Sequence, residues 1–310
     1  METAPYYDDI ADGPEGSAHW LTTADDVRIR VSHWPKEGAK GTVLIFPGRT
    51  EFVEKYGRSA KELAARGYAS LAIDFRGQGA ADRMGKDHGL GHVLNFHDYQ
   101  LDAEAALAHA TKLGLPQPFF LLAHSMGGCI GLRALHKDYP FKAAGFSAPM
   151  WGMTIATYLR PFAWCISTVA RALGQTEMVV PGQTTENYVG RTDFADNLLT
   201  TDPEYYDHLE AQLKAQPELG IGGPSVLWLN EALLEMNRLH RMESPSCPAI
   251  TFLGTDEAIV DPKRIRNRMA RWPNGKLTVL NKAKHEPMMD NTGISRAMFD
   301  ELCAFYDKHL

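Results

Sequence analysis

The chain has 310 residues, 44% of them hydrophobic, which suits one α/β core carrying an insertion. A net charge of -6 offers no general attraction to nucleic acid or to anionic lipid. The acidic start, Met1 to Asp9, lacks the apolar core of a signal peptide, and no stretch approaches the ~20 apolar residues that span a bilayer.

In chain order, short apolar runs alternate with helical patterns, which predicts a mainly parallel sheet with helices on both faces. Strands are expected at 27–34, 42–46, 69–74, 119–123, 143–147, 249–253 and 276–280. A helix over 54–66 places Leu63 and Ala64 on one face and closes at Gly67. Another, over 98–113, begins with Asp98 as cap and carries Leu101, Ala105, Leu107 and Ala108 near helical period. Helices are also expected over 126–137 and 294–309.

The alternation breaks for about a hundred residues between 147 and 249. Residues 150–223 mix apolar side chains (Trp151, Met153, Tyr158, Leu159, Phe162, Trp164) with a polar second half over 184–201. A loop of that length without its own structure is uncommon in a compact domain. The expectation is a helical cap at 150–223 inserted between core segments 1–149 and 224–310. A core helix over 224–242, with Trp228, Leu229, Leu233, Met236 and Leu239, resumes after it.

The chemistry centres on Phe120-Leu121-Leu122-Ala123-His124-Ser125-Met126-Gly127-Gly128. A strand runs into small-x-Ser-x-Gly and then a helical pattern, the context of a nucleophile elbow. Small residues flank Ser125 at two positions either side because strand and helix backbones approach closely there. A serine hydroxyl needs a base, and this fold orders its triad serine, acid, histidine. His285, in Lys284-His285-Glu286 just past the last predicted strand, is the candidate base. His124 is read as structural. The acid should follow the strand at 249–253, where Asp256, Glu257 and Asp261 compete. Asp261 precedes Pro262 and suits a helix cap. Local physics does not separate Asp256 from Glu257. Oxyanion donors are expected from the backbone N–H groups of Met126 and of Arg49, in Pro47-Gly48-Arg49.

Phe46-Pro47-Gly48-Arg49-Thr50-Glu51, Asp74-Phe75-Arg76-Gly77-Gln78-Gly79, Ala123-His124-Ser125-Met126-Gly127-Gly128, Ser147-Ala148-Pro149-Met150 and Lys284-His285-Glu286 occur in that order. Together they resemble the α/β-hydrolase superfamily, in its monoglyceride lipase and bacterial lysophospholipase branch (serine aminopeptidase S33-like). Ile221-Gly222-Gly223-Pro224 followed by Trp228 resembles the lysophospholipase side. The resemblance implies an α/β-hydrolase fold with an eight-stranded, mostly parallel sheet and an inserted helical cap. Its acid sits three residues after the loop glycine in a G-x-x-(D/E) pattern, which favours Glu257. Pro47-Gly48 stands where many members have His-Gly, and Ala80 where serine is common.

Other signals carry less. Gly77-Gln78-Gly79 lacks the third glycine of a dinucleotide fingerprint. His88 and His92 have metal-like spacing among glycines, with no HExxH, so no metal or cofactor is expected. The cysteines, Cys129, Cys165, Cys247 and Cys303, are scattered, which suits reduced thiols in the cytoplasm. Met150 and Trp151 are candidate substrate-binding residues, and Trp151 with Trp164 equally suits a small core of the cap. The resemblance implies a serine carboxylic-ester hydrolase for a single-chain lipid ester, a lysophospholipid or a monoacylglycerol. It would be cytoplasmic, touching a membrane surface transiently, at most at the inner-membrane periphery. The alternatives are a short-chain carboxylesterase and a non-catalytic binding protein on the same fold.

Overall fold

The apolar runs build a single nine-stranded sheet in the computed structural model, which describes residues 2–137, 139–154 and 173–310. Its strands are β1 Glu2–Ala4, β2 Ser17–Thr22, β3 Arg28–Trp34, β4 Thr42–Phe46, β5 Ala69–Asp74, β6 Phe119–His124, β7 Phe141–Ser147, β8 Ala249–Gly254 and β9 Gly275–Leu280. Their order is β1-β2-β3-β5-β4-β6-β7-β8-β9. From β5 to β9 every pairing is parallel, and β1, β2 and β3 add antiparallel to one side.

This is the expected α/β-hydrolase architecture, with nine strands among the described residues instead of eight. The sequence signal for β1 and β2 is weak for a physical reason. β1 is three residues long, and β2 is a half-exposed strand near the sheet edge with little need for apolar residues. In contrast, β4, β5, β6 and β8 are buried throughout, as strands covered on both faces must be. Side chains alternate between two cores: Leu44 and Phe46 join the cluster on one face, Val43 and Ile45 that on the other.

The helices differ in detail from the expectation. The segment near 54–66 opens as a single 3-10 turn, Val53–Tyr56, before the α-helix Gly57–Ala65. It closes at Gly67 as expected, with Gly67 N–H on Ala64 O and Tyr68 N–H on Leu63 O. Asp98 does not cap the helix Tyr99–Lys112; a 3-10 turn, Phe96–Asp98, precedes that helix, and Asp98 receives Asn95 Nδ2 instead. The helix after Ser125 runs Met126–Ala134, and the last runs Thr292–Tyr306 with a 3-10 turn following. The helix Val226–Arg241 begins at Ser225, whose Oγ accepts the Trp228 N–H at 3.0 Å.

After β7 the chain leaves the sheet and returns at β8. Residues 173–202 are turns and short 3-10 pieces, and the helix Pro203–Ala215 follows. That helix packs Tyr205, Tyr206 and Leu209 into the same core cluster as Val53 and Tyr56. Tyr158, Leu159, Phe162, Trp164 and Cys165 lie outside the described residues. Cys129, Cys247 and Cys303 are free thiols.

Candidate active site

The parallel register sets the site. Phe46 pairs with Ala123, His124 with Ser147, Ser147 with Phe252, and Gly254 with Leu280, so the carboxyl ends of β4, β6, β7, β8 and β9 share one sheet edge. Ser125 stands at the turn out of β6 with φ 48° and ψ -116°, a left-handed conformation costly for a residue with a Cβ. The surroundings enforce it: Ser125 N–H donates to Ser147 O (3.1 Å), and its carbonyl accepts from Gly128 N (2.9 Å) and Met150 N (2.8 Å). A Cβ on Gly127 would lie 2.0 Å from Phe46 O, which is why the position two after the serine carries none.

Ser125, His285 and Glu257, from three separate loops, form one hydrogen-bonded chain. His285 Nε2 lies 2.9 Å from Ser125 Oγ, and Nδ1 lies 2.8 Å from Glu257 Oε2. The other Glu257 oxygen accepts the N–H groups of Ile259 (2.7 Å) and Val260 (3.0 Å). Gly254 is so close to the histidine loop that a Cβ there would lie 2.0 Å from Ala283 O. The three competing carboxylates separate: Asp256 is exposed and takes the Thr255 hydroxyl, while Asp261 caps the helix Pro262–Met269. Burial disfavours the imidazolium of His285, but the adjacent Glu257 carboxylate, with Glu286 and Glu51, outweighs it and raises the pKa. Burial likewise opposes ionisation of Glu257, and His285 outweighs it, so that carboxyl is held below its ordinary value.

Met126 opens the helix after the serine, so its N–H belongs to the first turn, which has no intrahelical acceptor. In the loop after β4, Gly48 N–H goes to Glu51, Gly48 O accepts Gln78 Nε2 (3.0 Å), and Thr50 N–H goes to Gln78 Oε1 (3.1 Å). Between them the Arg49 N–H has no acceptor among the described residues. A cavity of about 630 Å³ opens beside Ser125, lined among others by Arg49, Met150, Met153, Trp228 and His285. Met150 stands on its wall. Trp151 does not: it is buried against Phe146 and Trp272, with Nε1 donating to Gly128 O at 3.0 Å.

Sequence reasoning missed a buried network behind the histidine. Lys55 Nζ bonds Glu51 Oε1 and Glu286 Oε1, both at 2.7 Å, and Tyr56 OH donates to Glu51. Glu51 and Lys55 are four residues apart in the sequence, a weak signal; nothing local announces Glu286 as their partner. His124 completes the group, with Nδ1 3.0 Å from Ser147 O. Burial lowers its pKa to about 4, so it stays neutral. Glu51, His124 and Glu286 have metal-like donors close together, but the Lys55 ammonium already bridges the two carboxylates. Of the histidine pair with metal-like spacing, His88 is exposed and His92 bonds Ser225 Oγ.

Residues 37–292 match the family model Hydrolase_4, "Serine aminopeptidase, S33". The chain is 27% identical over 304 residues to Lysophospholipase L2 of Escherichia coli K12, covering 93% of this chain and 87% of that protein. Among solved structures, monoglyceride lipase of Saccharomyces cerevisiae has a TM-score of 0.73 at 21% identity, covering 94% of each chain. A carboxyl esterase of Bacillus coagulans has a TM-score of 0.76 at 12% identity, covering 95% of this chain and 98% of that one. The chain therefore belongs to the Hydrolase_4 family and is an α/β-hydrolase of the lysophospholipase and monoglyceride lipase branch.

Proposed function

We propose that the protein is a serine carboxylic-ester hydrolase acting on a single-chain lipid ester, a lysophospholipid or a monoacylglycerol, through an acyl-enzyme. Family membership and the lysophospholipase relatives support ester-bond hydrolysis. The observation that carries the mechanism is the Ser125–His285–Glu257 chain opening on an apolar-walled cavity.

Ser125 Oγ attacks the ester carbonyl as His285 Nε2 takes its proton. Glu257 holds His285 in the tautomer with hydrogen on Nδ1 and offsets the charge that develops. The N–H groups of Met126 and Arg49 stabilise the tetrahedral oxyanion. His285 then protonates the leaving alcohol, and water repeats the cycle on the acyl-enzyme. Met150 and the other apolar wall residues receive the acyl chain. Residues 150–223 act as a cap over that chain, between core segments 1–149 and 224–310, and set its length. The lipid is met by transient contact with a membrane surface in the cytoplasm; no helix among the described residues is long and apolar enough to cross a membrane.

A fluorophosphonate probe tests the nucleophile: the wild type is labelled and Ser125→Ala is not. Equal labelling of both would remove Ser125 from this role. Hydrolysis of monoacylglycerols and lysophospholipids of increasing chain length tests the substrate, with rates expected to favour long chains. A maximum at two to four carbons would instead make the protein a short-chain carboxylesterase.

A further inference from the structure

We propose that the Arg49 side chain forms an anion-binding subsite in the cavity, which favours lipid esters whose alcohol carries a phosphodiester over uncharged monoacylglycerols. The inference rests on the lipid-ester reading above. Arg49 lines the same cavity as Ser125 and His285 and is only half-buried. Its Nη1 donates to Gly222 O at 2.6 Å, and the Trp228 ring centroid lies 5.5 Å from its Cζ. Among the described residues it has no ion-pair partner.

A guanidinium carries five donors in a planar fork, so one bond to a carbonyl leaves most of that fork to the cavity. The remaining charges on the cavity wall are differently placed. Glu51 and Glu286 are both held by Lys55, while Glu186 and Arg191 are exposed. Arg49 is thus a partly solvated cation on the cavity wall whose counter-charge is not supplied by the described chain, and an anion in the cavity would complement it. Burial pushes its pKa down only to about 10, so it stays charged at neutral pH.

The chemistry of the ester fits this position. The Arg49 backbone N–H is assigned to the oxyanion, and its side chain extends from that point to Gly222 and Trp228. In a lysophospholipid the phosphate follows the scissile ester by a few bonds, on the alcohol side. A planar fork matches phosphate oxygens two at a time, and the Trp228 ring, its centroid 5.5 Å from Cζ, favours a cation over its face. An uncharged glycerol offers neither charge nor matching acceptors.

The test compares lysophosphatidylglycerol with a monoacylglycerol of the same acyl chain, in the same mixed micelles, for wild type, Arg49→Gln and Arg49→Lys. The ratio of kcat/KM, phospholipid over neutral lipid, is expected to fall about tenfold or more in Arg49→Gln, chiefly through KM. Arg49→Lys keeps the charge without the fork and should recover part of the ratio. Glycerol 3-phosphate should compete with substrate in the wild type, where glycerol at the same concentration does not. Equal losses for both lipids, without competition by glycerol 3-phosphate, would mean that Arg49 only braces its loop through Gly222, and would overturn the proposal. A wild type that cleaves neither lipid overturns the lipid-ester reading and this inference with it. A wild type that cleaves both, with the ratio unmoved by substitution, removes this inference alone. If Arg49→Gln does not fold, Arg49→Lys and competition on the wild type decide.

Discussion

At the turn from β6 into the helix Met126–Ala134, the sheet pins each backbone position: Ser125 bonds Ser147, Gly128 and Met150, and Gly127 lies against Phe46. Across the cavity, residues 173–202 are turns and short 3-10 pieces, joined to the rest by scattered contacts. Among these are His285 N–H on Leu198 O (3.3 Å), Glu286 N–H on Leu199 O (2.8 Å) and Lys284 Nζ on Asn197 O (2.7 Å). The first region holds its serine by sterics in a closed core. The second touches the chemical site mainly through backbone bonds that support the histidine loop. The elbow should therefore fail sharply when altered, and the covering segment should fail gradually.

The largest effect should come from Ser125→Ala, which removes the proposed nucleophile and should lower kcat on the order of 10⁵–10⁶-fold with the fold intact. Retention of a few per cent of turnover on a chromogenic ester would break the mechanism. Next, Glu257→Gln should cost roughly 10³–10⁴-fold, because the imidazole loses its orienting carboxylate. The sign of the pH effect follows from the raised pKa of His285. The base works when neutral, so wild-type kcat/KM rises with pH through that raised value. Removing Glu257 removes the main raising influence while burial remains, so the acid limb should move to lower pH. Asp256→Ala, on an exposed carboxylate, should change kcat by less than about threefold, within the range of ordinary surface substitutions. A collapse of turnover there would exchange the two acids.

Between the extremes stands Trp151→Ala. The indole packs against Phe146 and Trp272, so its loss should cost about 3–5 kcal/mol of stability, read by denaturant unfolding. Chain-length preference should persist, since Trp151 does not line the cavity. A shift in preference without destabilisation would return Trp151 to the binding site. Asn197→Ala should cost far less than Glu257→Gln. Asn197 Oδ1 accepts the N–H groups of Leu199 and Thr200, each at 2.9 Å, in the turn that supports the histidine loop. Losing that support should cost about 1–2 kcal/mol in kcat/KM, roughly a tenfold drop, with little change in melting temperature. A loss as deep as that of Glu257→Gln would show that the covering segment is as strictly coupled to the site as the elbow.

Much of this protein is written locally. The small residues around Ser125, the parallel strands and the Asp261-Pro262 helix start follow from backbone geometry that any chain must obey. They place a serine, a histidine and a group of carboxylates at one sheet edge in the right chain order. The edge strands β1 and β2 escaped because short or half-exposed strands need little apolar patterning. What only the tertiary structure decided depends on which side chains meet across the chain. Burial and two backbone N–H groups distinguish Glu257 from Asp256. Met150 and Trp151 are both buried in one core cluster, yet Met150 reaches the cavity wall while Trp151 packs on Phe146 and Trp272. Lys55 finds Glu286 across 231 residues, and Arg49 finds Gly222 across 173. No local pattern encodes such pairs, because their free energy arises from desolvation and contact after the sheet has formed.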